Sequence, residues 1–385
     1  MDLWTRRKFF LTSLAGSALA GSSKLFGHAL DASASSRREA GLLDPSPSEG
    51  TRPLIISSAN GLNALDKGMQ ILKSGGDTLD AAVAAVTVVE DDPNDDSVGY
   101  GGLPNEEGEV ELDASVMHGP TRRAGSVASV RRIKNVSRLA KTVMELTNHV
   151  MIVGDGARRF AVAEGFEEMN LLTEHSRKIW LAWKAKTSFN WRPGTDSPEW
   201  KDHISAIFDH DAEQIAYALR VITYPPTGTI NCLAVNARGE VSGTTTTSGL
   251  AWKIPGRVGD SPVIGAGLFV DGDVGGAGST GKGEENIKIS GGHTIVEMMR
   301  KGIKPTDACM EALGRVVRNY NGDKAKLATF NIRFYAVNKD GEYGSTSLWK
   351  KSNAGSKEAM FAVHDGTQAR LVPCKAFYDE SGHEE

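Results

Sequence analysis

Thr229 follows Gly228 where a loop meets the apolar run Ile230-Asn231-Cys232-Leu233-Ala234-Val235. A threonine hydroxyl is a weak nucleophile at its own pKa and needs a base beside it. A free α-amine on the same residue would supply one, because its reference pKa of about 7.7–8.0 lies close to neutral pH. That amine exists only if the Gly228–Thr229 bond is cut. The hydroxyl would attack the Gly228 carbonyl, shift the acyl group from nitrogen to oxygen, and leave an ester for water to hydrolyse. Glycine tolerates the backbone strain such a bond would carry. Threonine also favours strands for ordinary reasons, so the Gly-Thr pair gains meaning only from the residues C-terminal to it.

Two turns come next. Arg257 and Asp260 stand three residues apart in Gly256-Arg257-Val258-Gly259-Asp260-Ser261-Pro262. A guanidinium fork binds a carboxylate bidentately and a carboxylate accepts from an ammonium. Together they match the two charged groups on the α-carbon of a free amino acid, although an isolated Arg-x-x-Asp is commonly a surface ion pair. Thr280-Gly281 then closes the small-residue run Gly275-Gly276-Ala277-Gly278-Ser279, in which the backbone could approach a ligand closely. Gly276-x-x-x-x-Gly281-Lys282 has the outline of a phosphate-binding loop. That loop needs Ser or Thr next to hold magnesium, and Gly283 stands there.

Taken in order, the threonine-led strand, the Arg/Asp turn and the Thr-Gly turn resemble the glycosylasparaginase family of N-terminal-nucleophile hydrolases. The likeness extends to Asp91-Asp92-Pro93 and Ser97-Val98-Gly99-Tyr100-Gly101-Gly102, and spans about Pro53 to Asp365 apart from much of the connector before Thr229. The resemblance implies a four-layer αββα sandwich. It implies Thr229 as nucleophile after cleavage at Gly228–Thr229, and Thr247 as a hydroxyl orienting it. Thr280 and Gly281 would form the oxyanion hole. Arg257, Asp260, Gly281, Gly283 and Ser97 would form the substrate site. The implied substrate is N4-(β-N-acetylglucosaminyl)-L-asparagine, with no cofactor, in a homodimer of cleaved units. The related plant-type asparaginases and isoaspartyl peptidases cut a Gly-Thr bond, so asparaginase or β-aspartyl peptidase activity is the near alternative. Two positions depart from the family: Gly228 replaces an Asp that assists self-cleavage, and Ala59 replaces a Trp that walls the substrate cleft. They leave a second alternative, an uncleaved relative that only binds amino acids.

The elements that must position these groups read as α+β. Pro53–Ile56 is a short strand. Leu62, Leu65, Met69 and Leu72 recur at helical spacing until Gly75-Gly76, and Asp77 with Asp80 caps a helix reaching Val89. Val110, Leu112, Ala114 and Val116 alternate as in a half-buried strand, and residues 149–153 form another before a helix. The stretch from about Thr173 to Thr227, with four prolines, reads as a partly helical connector that is loose from about 190 to 228. Asn236-Ala237-Arg238-Gly239 is a hairpin turn, Thr306–Tyr320 a helix, and 330–337, 343–348 and 359–364 late strands. Helices flanking antiparallel hairpins make two sheets covered by helices, split as halves 53–228 and 229–385.

Length and a 40% hydrophobic content allow a large core, and a net charge of −4 gives no footprint for nucleic acid. Cys232, Cys309 and Cys374 have no metal spacing and cannot all pair within one chain. Thr5-Arg6-Arg7-Lys8-Phe9-Phe10-Leu11 before a mildly apolar, small-residue run matches a twin-arginine export signal over 1–34. Residues 35–52, rich in Ser, Arg and Pro, read as a tether. The expectation is a periplasmic or secreted protein without a stable membrane anchor.

Overall fold

The strands Ile230–Val235 and Val241–Thr247 beside the Gly228–Thr229 junction are buried along their whole length, which places them between two packed layers. The computed structural model describes residues 52–187, 198–226, 228–353 and 356–383. These belong to one unit spanning Pro47–Glu385. The expected signal segment, nearly all of the tether, and Thr227 lie outside the described residues.

The larger sheet holds β1 (Leu54–Ser58), β2 (Leu112–His118), β3 (Arg123–Val130) and β4 (Met151–Val153) from the first half of the chain. From the second half it takes β5 (Ile230–Val235), β6 (Val241–Thr247), β11 (Met360–His364) and β12 (Ala369–Pro373). Their order is β12-β11-β1-β5-β6-β2-β3-β4. The smaller sheet runs β13-β10-β9-β8-β7, from β7 (Leu268–Asp271), β8 (Gly275–Gly281), β9 (Ile332–Asn338), β10 (Tyr343–Asn353) and β13 (Lys375–His383). Pairing is antiparallel except β3 with β4 and β10 with β13.

Alternation sorts each strand's side chains into two layers. Ile230, Cys232 and Ala234 of β5 pack outward with Met69 and Leu72 of α1 (Leu65–Lys73) and Val86 and Val89 of α2 (Thr78–Glu90). Next to them, α3 (Val136–Leu146) and α4 (Gly154–Ala163) cover β2 and β3. Leu233 and Val235 point the other way, onto Leu268, Val270, Tyr335 and Val337 of the smaller sheet. The helices Gly291–Arg300 and Pro305–Asn319 close that sheet's far side over Phe334, Ala336 and Leu348. Helices, sheet, sheet and helices are therefore four layers in an α+β fold. By parity with Leu233, Thr229 and Asn231 face the space between the sheets.

Local signals explain the boundaries. Asp77 accepts from the amides of Leu79 and Asp80 at 2.7 and 3.1 Å, which caps α2. Gly239 N–H donates to the Asn236 carbonyl at 3.0 Å, closing the β5–β6 hairpin. β2 is not half-buried as its alternation suggests. It lies between β6 and β3, and all its residues but His118 are buried. The connector also differs from its sequence reading. Helices cover Glu174–Thr187, Pro198–Ile207 and Ala212–Thr223, the last capped by Asp211, and residues 188–197 lie outside the described residues. Ile179, Ile204, Phe208, Ala218 and Val221 from these helices enclose Leu103 in a core of their own, and Trp183 stacks on Trp252 at 4.9 Å. Pro198 opens the second of these helices, and Pro225-Pro226 follows the third.

Candidate active site

The β5–β6 register pairs Ile230 with Thr246, which brings Thr229 opposite Thr247. The carbonyl oxygen of Gly228 is the focus of the local hydrogen bonds. Thr247 Oγ1 donates to Gly228 O at 2.6 Å, and Thr229 Oγ1 lies 2.8 Å from that oxygen and 3.1 Å from Thr247 Oγ1. The Gly249 amide donates to Thr247 Oγ1 at 2.8 Å, which leaves the Thr247 proton to the carbonyl. Ser58 Oγ reaches Thr229 O at 3.3 Å from β1. Two hydroxyls thus hold the carbonyl that Thr229 would attack.

One narrow cavity is lined by Gly228, Thr229, Thr247, Arg257, Asp260, Gly281 and Gly283. Residues spread over more than fifty positions of sequence converge there. Arg257 presents Nε and Nη2 to Glu284 Oε1 at 2.9 and 2.7 Å. Burial alone would raise the Glu284 carboxyl, but Arg257 and Lys282 hold it below its ordinary range. Arg257 therefore carries an internal carboxylate on one edge, while its Nη1 lies beside Gly249 and Gly259. Asp260 is buried, and its Oδ2 accepts from the Ser279 hydroxyl and from Asn286 Nδ2. A β-carbon at Gly283 would stand 2.6 Å from Asp260 Oδ1, so this position admits only glycine without displacing the carboxylate. Gly281 has φ +110°, and a β-carbon there would collide with the Asn331 carbonyl, two separate demands for glycine.

Two expected site residues lie outside this lining, and the small-residue run has a further use. Ser97 does not line the cavity. Its hydroxyl donates to Asp95 Oδ1 at 2.5 Å, its carbonyl accepts from Ser248, and its side chain packs against Gly228. Thr280 is buried with its hydroxyl 2.8 Å from the Tyr335 hydroxyl, next to Gly281, which lines the cavity. The small residues of β8 serve the approach of the two sheets. A β-carbon on Gly278 would meet the Asn231 amide at 2.0 Å, and one on Gly276 would meet Leu233 at 3.0 Å. Since Gly275–Gly281 is a strand, the phosphate-loop outline has no structural counterpart.

The other threonines of β6 are structural. Thr244 and Thr245 donate to the carbonyls of Ser115 and Gly267. Thr246 bonds Glu90 at 2.8 Å. Ala59 opens the short 3-10 helix Ala59–Ala64, whose Asn60 reaches Asp95 at 3.3 Å. Sequence reasoning missed Glu284, Ser279, Asn286 and Tyr335. Glu284, Ser279 and Asn286 sit within a few residues of Thr280-Gly281, so proximity to that motif was the available signal; Tyr335 had none.

Residues 55–347 match the family model described as asparaginase. A protein of Elizabethkingia miricola named N(4)-(β-N-acetylglucosaminyl)-L-asparaginase is 43% identical over 332 residues, 86% of this chain and 87% of that protein. The protein of that name from Rattus norvegicus is 35% identical over 70% of this chain and 78% of its own length. A probable isoaspartyl peptidase/L-asparaginase of Arabidopsis thaliana is 33% identical over 76% of this chain and 83% of that protein.

Proposed function

Because the chain belongs to the asparaginase family, we propose that it is a self-processing amidohydrolase acting on N4-(β-N-acetylglucosaminyl)-L-asparagine. One observation carries the reading. The hydroxyls of Thr229 and Thr247 converge on the Gly228 carbonyl in the cavity that also holds Arg257 and Asp260.

In the uncut chain, Thr229 Oγ attacks the Gly228 carbon while Thr247 steadies the developing oxyanion. The C–N bond breaks and the nitrogen takes the hydroxyl's proton, which frees the Thr229 amine; water then hydrolyses the ester, releasing the Gly228 carboxylate and the Thr229 hydroxyl. In the cut enzyme, that amine takes the Thr229 proton as the hydroxyl attacks the side-chain amide of the substrate. Arg257 holds the α-carboxylate and Asp260 the α-ammonium. Thr280 and Gly281 supply the oxyanion hole. The amino sugar leaves with the proton and later loses ammonia; water then releases aspartate from Thr229.

A second reading, asparaginase or β-aspartyl peptidase activity, is favoured by Ala59, which leaves the leaving-group side without an aromatic wall. Export through the twin-arginine route and pairing of two cleaved units complete the proposal. Intact mass and N-terminal sequencing test it first. A fragment beginning Thr229-Ile230-Asn231-Cys232 is expected, and an unbroken chain after long incubation at neutral pH would refute it. Hydrolysis of the glycosylated asparagine against asparagine and β-aspartyl dipeptides then decides the leaving group.

A further inference from the structure

Thr280 has a hydroxyl with one proton, and that proton has two places to go. Its oxygen lies 2.8 Å from the hydroxyl of Tyr335, a side chain with no exposed surface. If Thr280 donates to the phenol, nothing remains for an oxyanion. If the phenol donates to Thr280, the Thr280 proton is free. The surrounding side chains select the second arrangement.

The strands β8 and β9 pair Gly278 with Tyr335 and Thr280 with Arg333. Directly paired residues share a face, so Thr280, Arg333 and Tyr335 all face the other sheet. The ring lies beside Gly278, which has no side chain to obstruct it, and reaches diagonally to Thr280. Among the described residues, Thr280 Oγ1 is the partner within hydrogen-bond distance of the phenol. A buried donor left without an acceptor is costly, so the phenol gives its single proton to Thr280. Burial, against the nearby Arg333, pushes the phenol up to about 12, so it keeps that proton at neutral pH.

Resting on the assignment of Thr280 to the oxyanion hole, we infer that Tyr335 is a positioning residue for catalysis: it donates to Thr280 Oγ1 and thereby aims the Thr280 O–H at the tetrahedral intermediate. The hydrogen bonds run in one direction, from Tyr335 to Thr280 to the oxyanion. Tyr335 touches neither substrate nor nucleophile.

The test uses full-length, processed protein and initial rates on N4-(β-N-acetylglucosaminyl)-L-asparagine, normalised to the fraction carrying an N-terminal Thr229. Tyr335→Phe should lower kcat about tenfold, the scale of one uncharged hydrogen bond, with KM unchanged. Thr280→Val should lower kcat by about 10²–10³. Adding Tyr335→Phe to Thr280→Val should cost nothing more. Wild-type kcat in Tyr335→Phe, or the same loss in both backgrounds, overturns the inference. Wild-type activity in Thr280→Val would instead remove Thr280 from the oxyanion hole and leave the Thr229 chemistry standing. If Tyr335→Phe does not process or fold, Tyr335→Met replaces it. It fills the site without a donor and should lower kcat with KM unchanged, and wild-type kcat in processed Tyr335→Met overturns the inference.

Discussion

The side chain of Ser97 fills the space that any residue larger than glycine would need at position 228: a β-carbon built there would stand 1.6 Å from Ser97 Cβ and 1.9 Å from its Oγ. Ser97 is itself fixed, because Asp95 holds its amide and hydroxyl and Ser248 holds its carbonyl. Glycine at position 228 is thus a packing requirement of this chain. An aspartate there has no room. Gly228→Ala should stop the appearance of a fragment starting at Thr229 and should destabilise the protein by about 1–3 kcal/mol, the usual cost of overpacking. Adding Ser97→Gly should recover fragment formation on denaturing gels. Failure of that rescue would mean the collision is not what blocks cleavage.

Thr247 gives the shortest hydrogen bond to the Gly228 carbonyl, 2.6 Å. Thr247→Val keeps the shape and removes the donor. Cleavage of newly made protein should slow by about 10²–10³, as when one oxyanion donor is lost. Thr247→Ser keeps a hydroxyl at the same site and should process at close to the wild-type rate. Time-resolved intact mass separates the two.

Arg257 is committed to Glu284 on its Nε/Nη2 edge. A lysine cannot reproduce that fork. Arg257→Lys should raise KM about 10–100-fold, the worth of a charge-assisted hydrogen bond, while kcat falls less. Inhibition by free aspartate should weaken by the same factor. Unchanged aspartate inhibition would exclude Arg257 from α-carboxylate binding.

Glu90 sets a pH dependence of stability. Burial, against hydrogen bonds from Ser137 and Thr246, pushes its carboxyl from 4.5 up to about 7. Between those values the folded protein keeps a proton that the unfolded chain has lost. Stability is therefore full below about pH 4.5 and falls as pH rises toward 7, by about 3 kcal/mol at 1.4 kcal/mol per pKa unit. Glu90→Gln mimics the protonated side chain. It should melt at a higher temperature than wild type at pH 8 and at the same temperature near pH 4.5. Parallel melting curves across that range would contradict the assignment.

Much of the frame was legible from sequence because its signals are local. The Asp77 cap, the Asn236–Gly239 hairpin and the Pro305–Asn319 helix need only a few neighbouring residues. The resemblance named Thr229, Thr247, Arg257, Asp260, Gly281 and Gly283, all of which the fold brings to one cavity. The hidden part depends on distant partners. Nothing near Ser97 announces its contact with residue 228, and Glu284 beside Lys282 reads as a solvated helix start. Tyr335 reads as one more apolar strand residue. β12 and β13 were missed because each gains its strand character from pairing with β11 and β10, not from its own pattern.

The larger sheet has a weave with a temporal consequence. β1, from before position 228, lies between β11 and β5, both from after it. A cut at Gly228 would leave two polypeptides sharing one continuous hydrogen-bonded sheet. Neither could keep its own strands paired without the other. Assembly must then precede scission, and scission records that assembly has happened. The uncut chain can unfold and refold by itself, with rates independent of dilution. The cut form must find its partner again, so its recovery after melting depends on concentration. The same covalent bond that blocks the amine also preserves reversibility, and breaking it exchanges the capacity to refold alone for the capacity to react.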